Sequence, residues 1–165
     1  MSGYQADRWF EFSVAVAGAG AALAGLLFVA LSINLKDILE GNRLTERAAH
    51  TLILLGAALV IPLLVLIPGQ GEQALGGELV AVGVLTGLFL AVLDRPWRRA
   101  PEQTLGSWAI TIATPALALS LSAVLAGVGT ITEMLGGLYW LPVGLIAAFV
   151  GALLNAWVLL VEILR

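Results

Sequence analysis

Five long runs of apolar residues, separated by short polar connections, constrain what this chain can fold into more than any other feature of its sequence. The runs cover residues 12–35, 51–67, 75–93, 105–128 and 138–161. A helix needs about 20 apolar residues, within a range of about 17 to 25, to cross the hydrocarbon core of a bilayer. We therefore expect five transmembrane helices that form one domain over residues 1–165.

Helices rather than strands are expected for these runs. In hydrocarbon, each backbone N–H and C=O group must be paired within its own segment or around a closed barrel. Strands of a membrane barrel alternate apolar and polar residues over about 10 positions, whereas the runs in this chain are apolar on every face. The sequence therefore predicts an all-α, polytopic membrane protein.

The composition agrees with a lipid environment and excludes several classes of function. Hydrophobic residues make up 60% of the chain and charged residues only 12%, against about 25% charged residues in an average soluble domain. The net charge is -3 and the basic residues are dispersed, so we expect the bilayer, and not a nucleic acid, as partner. With no cysteine and one histidine, His50, the sequence predicts neither a metal site nor a cofactor.

The basic residues lie on one side of the predicted membrane. Alternate connections and the chain end hold seven of the eight Lys and Arg residues, namely Lys36, Arg43, Arg47, Arg95, Arg98, Arg99 and Arg165. The other side has Arg8 alone. Because short loops rich in Lys and Arg stay in the cytoplasm, we predict that the N-terminus lies outside and the C-terminus in the cytoplasm, which requires an odd number of spans.

Small residues recur along the first run at helical spacing. The helix-packing candidates are Ser13, Ala17, Gly18, Ala21 and Gly25. Small side chains allow two helix backbones to approach closely, which is how helices associate in lipid. Two interpretations are open: a groove for another helix of the same chain, or a subunit interface in a homo-oligomer.

Four polar residues stand out inside the apolar runs: Asn34, Thr111, Thr114 and Asn155. A buried amide in lipid seeks a hydrogen-bond partner, and Asn34 is a candidate partner for Asn155 by its depth. Pro115 frees a carbonyl one turn earlier, near Thr111, and Ser or Thr hydroxyls commonly bond such carbonyls. The alternative is that Asn155, or a face with Thr111 and Thr114, lines a pore or substrate site.

The sequence contains no Ser-His-Asp set, no HExxH zinc motif, no phosphate-binding loop and no pair of carboxylates deep within one run. We therefore expect that the protein is not an enzyme. His50 is interpreted as a histidine near the membrane surface, with a pH sensor as the alternative.

The segments "AGAGAALAGLLFVALSINL" and "GALLNAWVLLVEILR" resemble a group of short, largely uncharacterised bacterial membrane proteins, frequent in actinobacteria. Some of them are labelled modulators of the FtsH membrane protease. The polar residues in "SINL" and "NAW" are the more distinctive part of the likeness. The resemblance implies a location in the bacterial plasma membrane and provides no catalytic residues.

Three functional hypotheses follow. The first is a non-enzymatic accessory or scaffold subunit that acts through helix contacts in the bilayer, in a homo-oligomer or with another membrane protein. The second is a small homo-oligomeric channel or transporter. The third, modulation of a membrane protease, depends on the resemblance.

Overall fold

The computed structural model describes residues 3–40, 44–93 and 105–163, and within these ranges the chain is helical and contains no β-strand. The α-helices are α1 (Phe10–Ile33), α2 (Leu35–Glu40), α3 (Leu44–Val65), α4 (Glu72–Leu93), α5 (Leu105–Trp108), α6 (Thr114–Thr132) and α7 (Leu141–Ile163). A π-helical segment, Ala109–Ala113, joins α5 to α6 without a break.

In the described ranges, five helical stretches are long and apolar enough to cross a membrane: Ala6–Ile33, Leu44–Val65, Glu72–Leu93, Ala109–Thr132 and Gly137–Val161. The predictions of an all-α chain and of five such helices are therefore confirmed. The helices do not begin and end where the apolar runs do. For example, α3 begins at Leu44 and not at Thr51, because backbone hydrogen bonds continue a helix through polar residues beyond the hydrocarbon.

The centre of the bundle is α3, which packs against α1, α4 and α7. It is the most buried span, with 56% of its apolar window covered, whereas α1 is covered over only 17%. The core is made by residues such as Leu54, Ile61 and Leu79, each exposed by 1% or less. Four helices thus share one continuous core, and α1 lies at its edge.

Glycines set the closest helix contacts, and these contacts join α4 to α6. A Cβ atom added at Gly76 would lie 2.7 Å from the carbonyl oxygen of Gly127, and one added at Gly83 would lie 2.8 Å from that of Ser120. Such distances are shorter than a carbon–oxygen contact allows. The two backbones touch directly, as small residues permit between membrane helices.

Glycines also allow close contacts between α6 and α7. A Cβ atom at Gly144 would overlap the Ser122 side chain, and one at Gly151 would overlap the ring of Pro115. Gly144 and Gly151 are seven residues apart and so lie on one face of α7. This face positions the start of α6, which matters for the site described below.

At one end of the bundle, the N-terminal residues are attached to the connection between α6 and α7. The Leu138 N–H donates to the Gly3 carbonyl at 2.8 Å. The Trp9 ring meets the Tyr139 ring edge to face at 5.1 Å and the Phe12 ring at 5.6 Å. The opposite end, here called the α2 end, is closed by Ile38 of α2, which packs with Leu44, Ala48 and Leu159.

Candidate functional site

Three helices meet at one contact in the interior, and a group of polar residues lies one helical turn from it. Gly151 of α7 abuts Pro115 of α6, and a Cβ at Gly151 would also lie 3.7 Å from Leu54 Cδ2 of α3. Residues four apart share a helix face. One turn from this contact, towards the α2 end, the three helices therefore present His50, Thr111 and Asn155.

We call His50, Thr51, Thr111 and Asn155 the polar layer. His50, Thr51 and Asn155 are each 0% exposed, and Thr111 is half-buried. Polar side chains this deeply buried in a membrane-spanning bundle are expensive to place and commonly mark functional sites. The layer is thus the strongest candidate site in the interior.

A hydrogen bond crosses the layer from Asn155, whose Nδ2 donates to the Thr111 carbonyl oxygen at 3.1 Å. In a regular α-helix the N–H of residue 115 would donate to that carbonyl, but Pro115 has no N–H. The Asn155 side chain on α7 thus donates to a carbonyl that Pro115 cannot serve.

The backbone around Thr111 is itself irregular. The N–H and the Oγ1 hydroxyl of Thr114 both donate to the Ala109 carbonyl, the hydroxyl at 2.8 Å. This i to i+5 pattern defines the π-helical segment. Single π-helical turns inside α-helices occur frequently at functional sites.

The oxygen of the Asn155 amide, Oδ1, is buried and has no hydrogen-bond partner among the described residues. An unsatisfied buried acceptor costs about 1–3 kcal/mol, so most native ones are satisfied by protein or ordered water. The Oδ1 atom can accept a hydrogen bond from water or from a donor group of a bound molecule.

The structure does not bring together all of the predicted polar candidates. Asn34 was suggested as the partner of Asn155, but its Nδ2 donates to the Ala30 carbonyl of its own helix at 2.8 Å. The partner of Asn155 is instead a backbone carbonyl on α6, which corrects that interpretation. Thr111 is half-buried and Thr114 is exposed on the outside of the bundle, where its hydroxyl donates to the Ala109 carbonyl. That a face with Thr111 and Thr114 lines a path stays a prediction.

The small-residue candidates of α1 separate into two groups. Ser13 and Ala17 are buried against the bundle, 2% and 8% exposed, so that part packs within the chain. Gly18, Ala21 and Gly25 are exposed, and a Cβ atom at Gly18 or Gly25 would meet nothing within 4 Å. We call the exposed positions Gly18, Ala21, Ala22 and Gly25 the open face of α1.

Among the topology determinants, Lys36 is exposed on α2 and Arg47 is half-buried on α3, both at the α2 end. The remaining ones, Arg43, Arg95, Arg98 and Arg99, lie outside the described residues. In the ranges that the structure covers, no three His, Cys, Asp or Glu side chains are grouped so that they could hold a metal ion.

Sequence reasoning missed the glycine contacts and the π-helical segment. By their spacing, Gly76, Gly83 and Gly87 share one face of α4, and Gly144 and Gly151 share one face of α7. This spacing is a sequence signal for close helix contacts on those faces. The π-helical segment has a weaker signal, a proline after the run "TIAT".

No protein-family model, curated protein or solved structure matches this chain. The two features of the molecule that bear on its function are the polar layer and the open face of α1.

Proposed function

We propose that this chain is a non-enzymatic integral membrane protein that acts as an accessory or scaffold subunit, with the open face of α1 as its contact with another transmembrane helix. The observation that supports this most directly is the low burial of α1: 17% of its apolar window, against 33% or more for each of the other four spans. The other helices of the chain thus leave most of the α1 surface uncovered and open to contact with a partner helix.

The positions of the small residues strengthen the proposal. At 100° per residue, the buried positions Ser13, Ala17, Gly20 and Leu27 lie on one side of α1. Gly18, Ala22 and Gly25 lie on the far side of the helix, and Ala21 lies between the two sides. Gly18 and Ala22 are four residues apart, as are Ala21 and Gly25. This is the spacing with which two membrane helices pack closely.

The membrane location and orientation belong to the same proposal. The resemblance supports the bacterial plasma membrane, and the Lys and Arg distribution supports a cytoplasmic α2 end. Reporter fusions that are active on one side only test this. We expect the N-terminal fusion to report from outside and the C-terminal fusion from the cytoplasm; two fusions that report from the same side would contradict the orientation.

The scaffold proposal is tested by Gly18→Leu and Gly25→Leu. Neither position has a neighbour within 4 Å of an added Cβ, and the same is true of Gly77 on α4, so Gly77→Leu is a matched control. The measurement is native mass spectrometry of protein extracted gently from its membrane, which separates a second copy of this chain from a different subunit.

We expect a complex in the wild type that is lost in both α1 variants and kept in Gly77→Leu, with thermal unfolding unchanged in all three. A wild-type monomer, or a complex that both α1 variants retain, would contradict the proposal.

A second candidate function is a small homo-oligomeric channel or transporter, and the polar layer is the observation that favours it. A path for water or a polar solute would pass Asn155, whose Oδ1 atom accepts no hydrogen bond from the described residues. Flux through protein in liposomes should then change in Asn155→Leu while the oligomer persists. Unchanged flux together with lower stability would contradict the channel hypothesis and indicate that Asn155 has a structural role. Modulation of a membrane protease stays a prediction from the resemblance.

A further inference from the structure

A cavity of about 220 Å³ separates α4 from the start of α6. Its floor is formed by Leu90, Ala116 and Ser120, which are 1%, 8% and 8% exposed. Its mouth lies at Ala91 and Leu117, which are exposed on the outer surface of the bundle. In a membrane-spanning bundle this surface faces lipid, so the cavity opens to the bilayer.

The cavity lies beside the part of α6 that is held by α7. Further along, α4 and α6 are in direct contact at Gly83. Before Thr114, the π-helical segment packs against α7, where Gly151 accommodates Pro115 and Asn155 holds the Thr111 carbonyl. The cavity is the space between this part of the chain and the end of α4.

One polar group on the floor of the cavity has no partner among the described residues: the hydroxyl of Ser120, whose Oγ is buried. Serine in a helix usually donates to a carbonyl of the preceding turn, as Ser122 does to Leu119 at 2.9 Å. Gly87 packs closely beside this hydroxyl, since a Cβ there would lie 3.1 Å from Ser120 Oγ. The Oγ atom is covered in the rotamer of the structure, and because Ser120 lines the cavity, rotation about its Cα–Cβ bond to another staggered rotamer is the movement that would present the hydroxyl to a bound molecule.

We propose that this cavity binds a lipophilic molecule that enters from the bilayer and carries one hydrogen-bonding oxygen, which bonds Ser120 Oγ. Apolar pockets with a few well-placed polar groups are typical of small-molecule sites. An apolar cavity of about 150 Å³ is large enough to bind benzene, and this one is larger.

The length and charge of the cavity further restrict the class of ligand that it can bind. Trp108 and Ser120 both line it, and twelve residues of helix correspond to roughly 18 Å at a rise of 1.5 Å per residue. None of the described residues that line it is charged. The ligand class is thus a neutral, chain-like molecule of medium length with a hydroxyl or carbonyl oxygen. This site is separate from the open face of α1 and does not depend on the scaffold proposal.

Trp108 provides the readout, because bromine on a bound molecule quenches a neighbouring indole. The quenching experiment uses a variant in which Trp9, Trp97, Trp140 and Trp157 are replaced by Phe, so that Trp108 is the single tryptophan. This variant is reconstituted in phospholipid nanodiscs. The probes are an ω-bromo-octanol and bromo-octane, which lacks the hydroxyl. The control variant keeps Trp157, 68% exposed on α7, as its single tryptophan.

We expect bromo-octanol to quench Trp108 saturably and to quench Trp157 only in proportion to the probe dissolved in the bilayer. Bromo-octane should bind about five-fold more weakly, the effect of losing one hydrogen bond. Ser120→Ala should weaken bromo-octanol to the level of bromo-octane. Quenching of Trp108 that does not saturate, or that Ser120→Ala leaves unchanged, would overturn the proposal.

A second measurement keeps the test available if the single-tryptophan variant does not fold. In the wild type, octanol should raise the midpoint of thermal unfolding more than octane does. Ala91→Phe, which fills the mouth of the cavity, should abolish that difference, and Ala81→Phe, at an exposed position of the same helix outside the cavity lining, should not. An equal effect of the two compounds on the wild type would contradict the proposed hydrogen bond.

Discussion

The hydrogen bond from Asn155 to the Thr111 carbonyl can be tested through its dependence on Pro115. In the wild type, Pro115 lacks the N–H that would serve this carbonyl, and the Asn155 amide replaces it at 3.1 Å. Pro115→Ala restores the N–H and makes the amide redundant. We therefore expect Asn155→Leu to destabilise the protein when residue 115 is Pro and to have little effect when it is Ala.

The magnitude follows from the acceptor, the partly buried Thr111 carbonyl. Leaving a fully buried carbonyl without a donor costs about 1–3 kcal/mol, whereas interhelical hydrogen bonds measured in a membrane protein average about 0.6 kcal/mol and reach about 1.7. We expect a coupling energy of about 1 kcal/mol between the two substitutions. Asn155→Leu removes the unsatisfied Oδ1 atom whether residue 115 is Pro or Ala, and Pro115→Ala alters the packing at Gly151 whether residue 155 is Asn or Leu. Both effects therefore cancel in the coupling energy.

The assay is reversible unfolding in mixed micelles by sodium dodecyl sulfate, followed by circular dichroism, for the wild type, both single variants and the double variant. Distant substitutions add within about 0.3–0.5 kcal/mol. A cycle with Asn34→Leu in place of Asn155→Leu should show that additivity, because Asn34 bonds the Ala30 carbonyl of its own helix. Additivity in the Asn155 cycle would refute the compensation between Asn155 and Pro115.

Three further predictions concern single substitutions, each measured by the same unfolding assay. Gly83→Ala should destabilise the bundle by about 1–3 kcal/mol, because its Cβ would lie 2.8 Å from the Ser120 carbonyl oxygen; unchanged stability would mean that α4 and α6 are not in backbone contact. Gly25→Ala should leave stability unchanged or raise it by up to about 1 kcal/mol, since nothing lies within 4 Å of its Cβ, and a clear loss would show that the open face is covered. Ser120→Ala should not destabilise the protein, because it removes a buried hydroxyl without a partner in the described structure; a loss above about 1 kcal/mol would reveal a bond that this hydroxyl makes.

The existence and type of the helices could be predicted from the sequence because they depend on a one-dimensional property. Each apolar run is long enough to cross the hydrocarbon, and a helix satisfies its backbone without any other segment. The predicted boundaries were less accurate, as the start of α3 at Leu44 shows. Apolar content marks the part of a helix in lipid, and hydrogen bonding determines where the helix begins.

The contacts between helices could not be predicted in the same way. Gly18 and Gly25 on α1 are as small and as regularly spaced as Gly76 and Gly83 on α4, yet only the second pair is in backbone contact with another helix. Likewise, the free carbonyl near Pro115 was foreseen, but its donor lies 44 residues away on α7 and not on a neighbouring hydroxyl. Both features depend on which helices are adjacent, and spacing within one helix does not contain that information.

The start of α6 lies between the polar layer on its α7 side and the cavity on its α4 side. If the bond between Asn155 and Thr111 helps to keep this part of α6 away from α4, that bond and a molecule in the cavity favour the same arrangement, and each must strengthen the other by the same factor. Asn155→Leu should therefore weaken the quenching of Trp108 by bromo-octanol, although Asn155 does not line the cavity. Asn34→Leu, which leaves α6 untouched, should not weaken it. Equal affinity in the wild type and in Asn155→Leu would show that the position of the start of α6 does not depend on the bond from α7, and that the two sites are independent.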